Sequence, residues 1–314
     1  MSFIKKTIKY SLWLIGVILL FLIALYFFIQ TETFNKLALS FALDKLNNSE
    51  SWIKKDNLIY AESINGNLLK GLRINNVVVT VRKDTLVSLN YLYLKYDIWG
   101  LLNKKISVDS VVLNSPVINL SKIKDGSDSL VWNFSNLFTS SADTSAASDF
   151  NWDIYLRSLK VENGKFKILD SIPSKPLWAL QWEKQNELSL NNLNISDFEL
   201  DLSVEYSKLL KKFNLRNLSF VSNTDFRLNK LAFDAYINSR DTTTDLSNFV
   251  LLTDRSDLKI TKLSAYNFNP LDSNAFADYM NTKMSFILNT DKFNFADLKF
   301  FLPAVDMLDS TVSL

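Results

Sequence analysis

The 314-residue chain contains no cysteine and no histidine. Without cysteine no disulfide can staple it. Zinc sites built on Cys or His are excluded, as are Ser-His-Asp and Cys-His catalysis. Any general acid or base would have to be Asp, Glu, Lys or Tyr. Net charge is nearly absent: 35 Lys and Arg stand against 33 Asp and Glu, a formal +2, which offers no basic field for nucleic acid. Six glycines and five prolines serve the whole length, so turns must lean on Asn, Asp and Ser. There is no G-x-x-x-x-G-K-S/T phosphate loop. Nor is there a D-x-D pair of the kind a membrane-anchored glycosyltransferase would use to hold a metal. The pairs Asp254/Asp257 and Asp241/Asp245 read as turn residues. No enzymatic activity, no cofactor and no metal is expected.

What the chain does have is apolar bulk: 47% hydrophobic residues and 23 Phe. The most concentrated part is residues 11–29, SLWLIGVILLFLIALYFFI, which carry no charge. Nineteen residues can cross a hydrocarbon core of about 30 Å as a helix. The residues expected to meet lipid are Leu12, Trp13, Leu14, Ile15, Val17, Ile18, Leu19, Leu20, Phe21, Leu22, Ile23, Leu25, Phe27 and Phe28. Lys5, Lys6 and Lys9 precede the run and Glu32 follows it, so the short N-terminus is expected in the cytoplasm and the bulk across the membrane. The run exceeds a signal-peptide core, and no A-x-A-like site follows it, which predicts a retained single-pass anchor.

Residues 33–47 carry Phe34, Leu37, Ala38, Phe41 and Leu46 at helical spacing. This predicts an amphipathic helix, lying on the outer membrane surface or packed on the first strands. From residue 58 onward, short apolar runs alternate with Asn/Asp/Ser/Lys clusters, the texture of strands and turns. Helical interruptions are predicted at 97–103, 132–138, 271–281 and 295–302. The expected organisation is a cytoplasmic tail and anchor (1–31), an amphipathic helix and connector (32–57), a first β region (58–138), a flexible polar loop (139–149) and a continuing β region (150–314).

One pattern recurs: apolar-x-apolar-polar-polar-apolar-x-apolar. It occurs at Leu72/Ile74/Val77/Val79, Ile106/Val108/Val111/Leu113, Ile154/Leu156/Leu159/Val161, Leu188/Leu190/Leu193/Ile195, Phe213/Leu215/Leu218/Phe220 and Leu258/Ile260/Leu263/Ala265. The second and third copies extend identically, through Ile118/Leu120 and Phe166/Ile168. Side chains alternate faces along a strand, so the central step of three would flip the apolar set. A bulge at the polar pair restores it. The central pairs are Asn75-Asn76, Asp109-Ser110, Arg157-Ser158, Asn191-Asn192, Arg216-Asn217 and Thr261-Lys262. The expected fold is mainly β: a transmembrane helix followed by an elongated, curled, U-shaped sheet that forms a groove, with a few short helices. About fourteen strands spaced about 4.8 Å would make it roughly 65 Å long. The candidate lining is Val77, Val79, Val111, Leu113, Leu159, Val161, Leu193, Ile195, Leu218 and Phe220. The same residues could instead fill an ordinary closed sandwich core.

The order of these segments resembles a known family. It runs from the apolar N-terminal stretch to GNLLKGLRINNVVV (66–79), then LVSLNYLYLKYDIWGLLNKKISVDSVVLNSPVINL (86–120) and DGSDSLVWNFSNLF (125–138). In that order they are similar to the N-terminal region of the TamB/AsmA-like family. The resemblance covers residues 2–138, with only a similar texture beyond. It implies an inner-membrane-anchored periplasmic protein of a Gram-negative envelope with a hydrophobic β-groove for phospholipid acyl chains moving toward the outer membrane. It also implies an alternative role as scaffold of a translocation and assembly module, working with an Omp85-type outer-membrane barrel protein. Members are usually much longer, so an N-terminal fragment is expected.

Overall fold

The computed structural model describes residues 17–21, 23–48, 53–54, 56–67, 69–124, 130–138, 152–169, 192–223, 226–238, 243–269, 282–294 and 297. The predicted segments 139–149 and 271–281, Leu188, Leu190, Asn191 and the anchor residues Leu12, Trp13, Leu14, Ile15 and Leu22 lie outside them. Of the predicted segment 295–302, only Asp297 is described.

Two helices lead the chain: α1 (Val17–Phe28) and α2 (Glu32–Asn48). Among the described residues no single helix is long and apolar enough to cross a membrane. The two pass that test only as a pair, bent by 76°. Thr31 makes the break: its hydroxyl donates to the Phe28 carbonyl and accepts from the Phe34 N–H, capping α2. Among the described residues the strands that follow form a single sheet of fourteen. They are β1 (Leu58–Tyr60), β2 (Ser63–Asn67), β3 (Gly71–Val81), β4 (Asp84–Asp97), β5 (Lys105–Asn114), β6 (Val117–Lys124), β7 (Leu130–Trp132), β8 (Asp153–Leu169), β9 (Asn192–Tyr206), β10 (Leu210–Ser222), β11 (Arg227–Asn238), β12 (Thr243–Thr253), β13 (Asp257–Tyr266) and β14 (Lys283–Lys292).

The sheet is shorter across its strands than fourteen rungs would make it. Its order is β1-β3-β4-β5-β8-β9-β10-β11-β12-β13-β14. Ten spacings of about 4.8 Å give about 48 Å rather than 65 Å. The difference arises because β1 and β2 pair with β3 one after the other along its length, β5 and β6 do the same along β8, and β7 pairs only with β6. β5 and β6 are separated by Ser115, at φ 50°, and Pro116. Neighbours are antiparallel except where β8 runs parallel to β5 and β6.

Register shifts occur at four of the six polar pairs, and also elsewhere: in β8 beyond Val161, in β10 beyond Leu218, at two places between β11 and β12, and at the end of β3. The register shifts at Asp109-Ser110 between β4 and β5, and at Arg157-Ser158 between β8 and β9. It shifts at Arg216-Asn217 against both neighbours of β10, and at Thr261 against β14. At Asn75-Asn76 no shift occurs; Asn76 takes φ 48° while the register with β4 is kept. In β9 the irregularity falls at Asp197 (φ 50°). With few glycines available, Asn and Asp fill most left-handed positions: Asp56, Asn76, Asn163, Asp197, Asn248 and Asn267. Their short polar side chains tolerate that conformation best after glycine.

α2 lies against the first edge of the sheet. The Asn47 amide donates to the Ile59 carbonyl and accepts from the Ile59 N–H, each at 2.7 Å, as a neighbouring strand would. Asn35, buried in the first turn, donates to the Gly66 carbonyl at 2.9 Å. Of the predicted helical stripe, Leu37 and Phe41 are exposed and the sheet-facing positions include the two asparagines. The predicted interruptions at 97–103 and 132–138 appear as 3-10 turns, Trp99–Asn103 and Asn133–Asn136.

Candidate functional site

Cross-strand pairing aligns the apolar positions into continuous rows, because directly opposed residues share a face. One row runs Ile74, Leu92, Leu113, Val161, Leu200, Leu218, Leu231, Leu251, Leu258, without interruption across nine strands. Beside it run Leu72, Leu94, Val111, Leu159, Leu202, Leu215 and Phe233, and the row resumes at Phe249 and Ile260 past the left-handed Asn248. A third row links Tyr96, Val108, Leu156, Val204, Phe213, Ala235, Leu246, Leu263 and Phe286. The bulges keep these rows on one face although β5, β8 and β10 step by three residues between them.

All ten candidate lining residues lie on this face. Val111 pairs with Leu159, and Leu113 with Val161. Val79 joins Val87, Ile118, Phe166 and Ile195 in a fourth row, and Val77 opposes Leu89. Leu193 opposes Ile168. At the sheet end where β10 turns into β11, Phe220 forms a cluster with Phe226, Leu228 and Leu251, onto which Ile195, Phe198 and Leu218 pack. At the β3–β4 hairpin Val81, Leu86 and Leu137 form a second cluster. The sequence pattern missed Leu92, Leu94 and Tyr96 of β4, and Leu200, Leu202 and Val204 of β9. Plain alternation in KYD-preceding LNYLYL and in FELDLSVEY was the signal for them.

The opposite face is polar and charged. Asp109 bridges Arg157 at 2.9 Å and Lys95 at 3.8 Å. Asp201 pairs with Arg216 and, at 3.9 Å, with Lys160; Glu205 pairs with Lys212 at 3.5 Å. The bulge residues Asp109, Arg157 and Arg216 thus place their charges on the face away from the apolar rows. These pairs are solvent-exposed and worth little individually. They give that face a reason to remain wet.

Leu137 packs on Val79, Val87, Leu120 and Ile123 at the β3–β4 hairpin, but among the described residues no element packs over the three central rows. The elements in extensive contact are strand neighbours, α2 with β1 and β2, and the 3-10 turns with adjoining strands. None packs across the three central rows. Of the three central rows only Leu72, Val161 and Leu251 are buried; the others are half-buried, and Phe286 is exposed. Among those rows Tyr96 carries the one hydroxyl, and burial pushes its phenol above the ordinary tyrosine value. The described residues contain no group of three or more Asp or Glu placed to hold a metal. Comparison with family models, curated proteins and solved structures gives no match.

Proposed function

We propose that this chain is a membrane-anchored, non-enzymatic carrier that offers a hydrophobic β-groove to phospholipid acyl chains. The observation that supports it is the run of three adjacent apolar rows, up to nine strands long, with no described element packed over them. A sheet with one apolar face requires a cover. Fatty tails supply one that can also move. Two chains of about fifteen carbons would cost on the order of 20 kcal/mol in water, at about 0.8 kcal/mol per methylene. A dry lining would remove most of that while the headgroup stays hydrated. The rows run perpendicular to the strands, so a tail would pass from rung to rung.

The resemblance to the TamB/AsmA-like family supplies the setting: α1 and the residues before it as an inner-membrane anchor, the sheet in the periplasm, and transport toward the outer membrane. α1 suits that setting, because its described apolar side chains, such as Val17, Ile18, Phe21, Ile23 and Phe27, are exposed, Leu20 at 71%. A second reading, a scaffold for outer-membrane protein assembly with an Omp85-type barrel, draws on the last strand. β14 pairs only with β13 among the described residues, and Phe286 and Ile287 are both exposed there. Such an edge accepts added strands.

Photo-crosslinkers at Val111 and Leu113, followed by mass spectrometry of the detergent-extracted chain, separate the two. Adducts to phospholipid support the carrier. Adducts to client protein alone support the scaffold, and adducts within the chain alone mean a closed core.

A further inference from the structure

We infer that the 3-10 turn Trp99–Asn103, which joins β4 to β5, is a second membrane contact that dips Trp99, Leu101 and Leu102 into the interface of the bilayer holding α1. The inference rests on the anchor reading given above and adds to it a contact that fixes how the sheet stands on the membrane.

The turn exposes apolar side chains at high density. Trp99, Leu101 and Leu102 are 66%, 47% and 79% exposed, while Gly100 between them is buried. The backbone beneath is held firmly. The Trp99 N–H donates to the Asp97 carboxylate at 3.0 Å, the Leu101 N–H to the Ile98 carbonyl, and the Lys104 N–H to the Leu101 carbonyl. A Cβ on Gly100 would stand 2.9 Å from the Lys105 carbonyl oxygen, so the turn sits tightly on β5. The exposure is therefore a built feature of a folded turn.

Its position is what selects a lipid surface as the partner. α2 follows α1 after a three-residue break, and Asn35 in its first turn is bonded to Gly66 of β2. Gly66 opposes Leu72 on β3, and Gly71 opposes Lys95 on β4. The Tyr96 N–H donates to the Lys70 carbonyl at 3.4 Å. The chain thus leaves the anchor and enters the turn at the same end of the sheet, two strand spacings or about 10 Å apart. Any bilayer holding α1 would lie within reach of the turn.

The chemistry agrees. Trp is the side chain that best tolerates a boundary with one apolar and one wet side. Two leucines supply insertion energy, and the exposed Lys104 follows, as suits anionic headgroups.

The absence of cysteine makes the test clean. Single cysteines replace Leu102, Leu20 in α1, and Phe134, which is 48% exposed in the other 3-10 turn, beside the β3–β4 hairpin at the far end. Each full-length variant is labelled with an environment-sensitive fluorophore and reconstituted into phosphatidylethanolamine–phosphatidylglycerol vesicles with doxyl-labelled lipid. The expected result is quenching at positions 20 and 102 and none at 134. At 102 a shallow doxyl should quench more than a deep one, as for insertion of about 5–10 Å. Quenching at 20 but not at 102 would overturn the inference and leave the anchor intact. No quenching at 20 would overturn the anchor itself and this inference with it. A label at 102 that is shielded without lipid quenching would mean that protein covers the turn, and equal quenching at 102 and 134 would mean non-specific adhesion; either result overturns it.

Discussion

Leu113 and Val112 are neighbours in sequence and lie on opposite faces, so one substitution tested at both isolates the apolar face. Leu113 stands mid-row between Leu92 and Val161, whereas Val112 is flanked by Tyr93 and Lys160. Aspartate at 113 would keep water around itself, because an unpaired carboxylate is costly to dehydrate. A wet gap one strand spacing wide, about 4.8 Å, exposes about four methylenes of a passing tail, at about 0.8 kcal/mol each. The added barrier is about 3 kcal/mol, which slows transfer roughly a hundredfold. Leu113 is half-buried, so the folded state should lose only about 2 kcal/mol. The assay is transfer of fluorescent phospholipid from vesicles bearing the reconstituted chain to acceptor vesicles, with thermal unfolding followed in parallel. Leu113→Asp should abolish most transfer while the chain stays folded; Val112→Asp should leave transfer within about twofold of the parent, its charge matched by Lys160. Equal effects at the two positions, or no effect at 113, would refute the argument that tails travel along this face.

Three further outcomes follow from the bulges, the edge and the buried phenol. Asn163 holds φ 53° between Val161 and Gly164; Asn163→Val should cost about 1–2 kcal/mol and Asn163→Gly little or nothing, read as shifts in the thermal unfolding midpoint. Asn47→Leu removes both bonds to Ile59 and should cost about 1–3 kcal/mol; the bared edge should also produce dimers, visible by light scattering in detergent. The raised phenol of Tyr96 favours the neutral form in the folded state. Its contribution is therefore complete below the ordinary tyrosine value of about 10 and is lost as pH rises through the folded value. Tyr96→Phe should flatten the loss of stability as pH rises above about 10, measured by unfolding midpoints.

Much of the architecture was legible in the sequence because strand periodicity is a local signal. The polar pairs at Asp109-Ser110, Arg157-Ser158, Arg216-Asn217 and Thr261-Lys262 mark bulges since the apolar set must stay on one face. The identical extension of the second and third copies has a simple origin. Ile106, Val108, Val111, Leu113, Ile118 and Leu120 pair in parallel with Ile154, Leu156, Leu159, Val161, Phe166 and Ile168. The constant offset of 48 residues seen in the sequence is the register of that ladder. The direction of pairing itself was not legible. A repeat of this kind fits parallel neighbours and antiparallel hairpins equally well until the crossover is seen.

By itself, then, the sequence determined that cysteine and histidine chemistry is excluded, the apolar N-terminal run, the abundance of strands and four of the places where they bend. These follow from composition and from a period of two, which each segment carries alone. Tertiary structure decided which segments share a rung, and so reduced fourteen strands to a width of eleven. It assigned the α2 asparagines to the sheet edge, and it joined Ile74 and Leu258, 184 positions apart, into one apolar row. Hydrogen-bond register between distant strands is a property of pairs, and no single segment contains it.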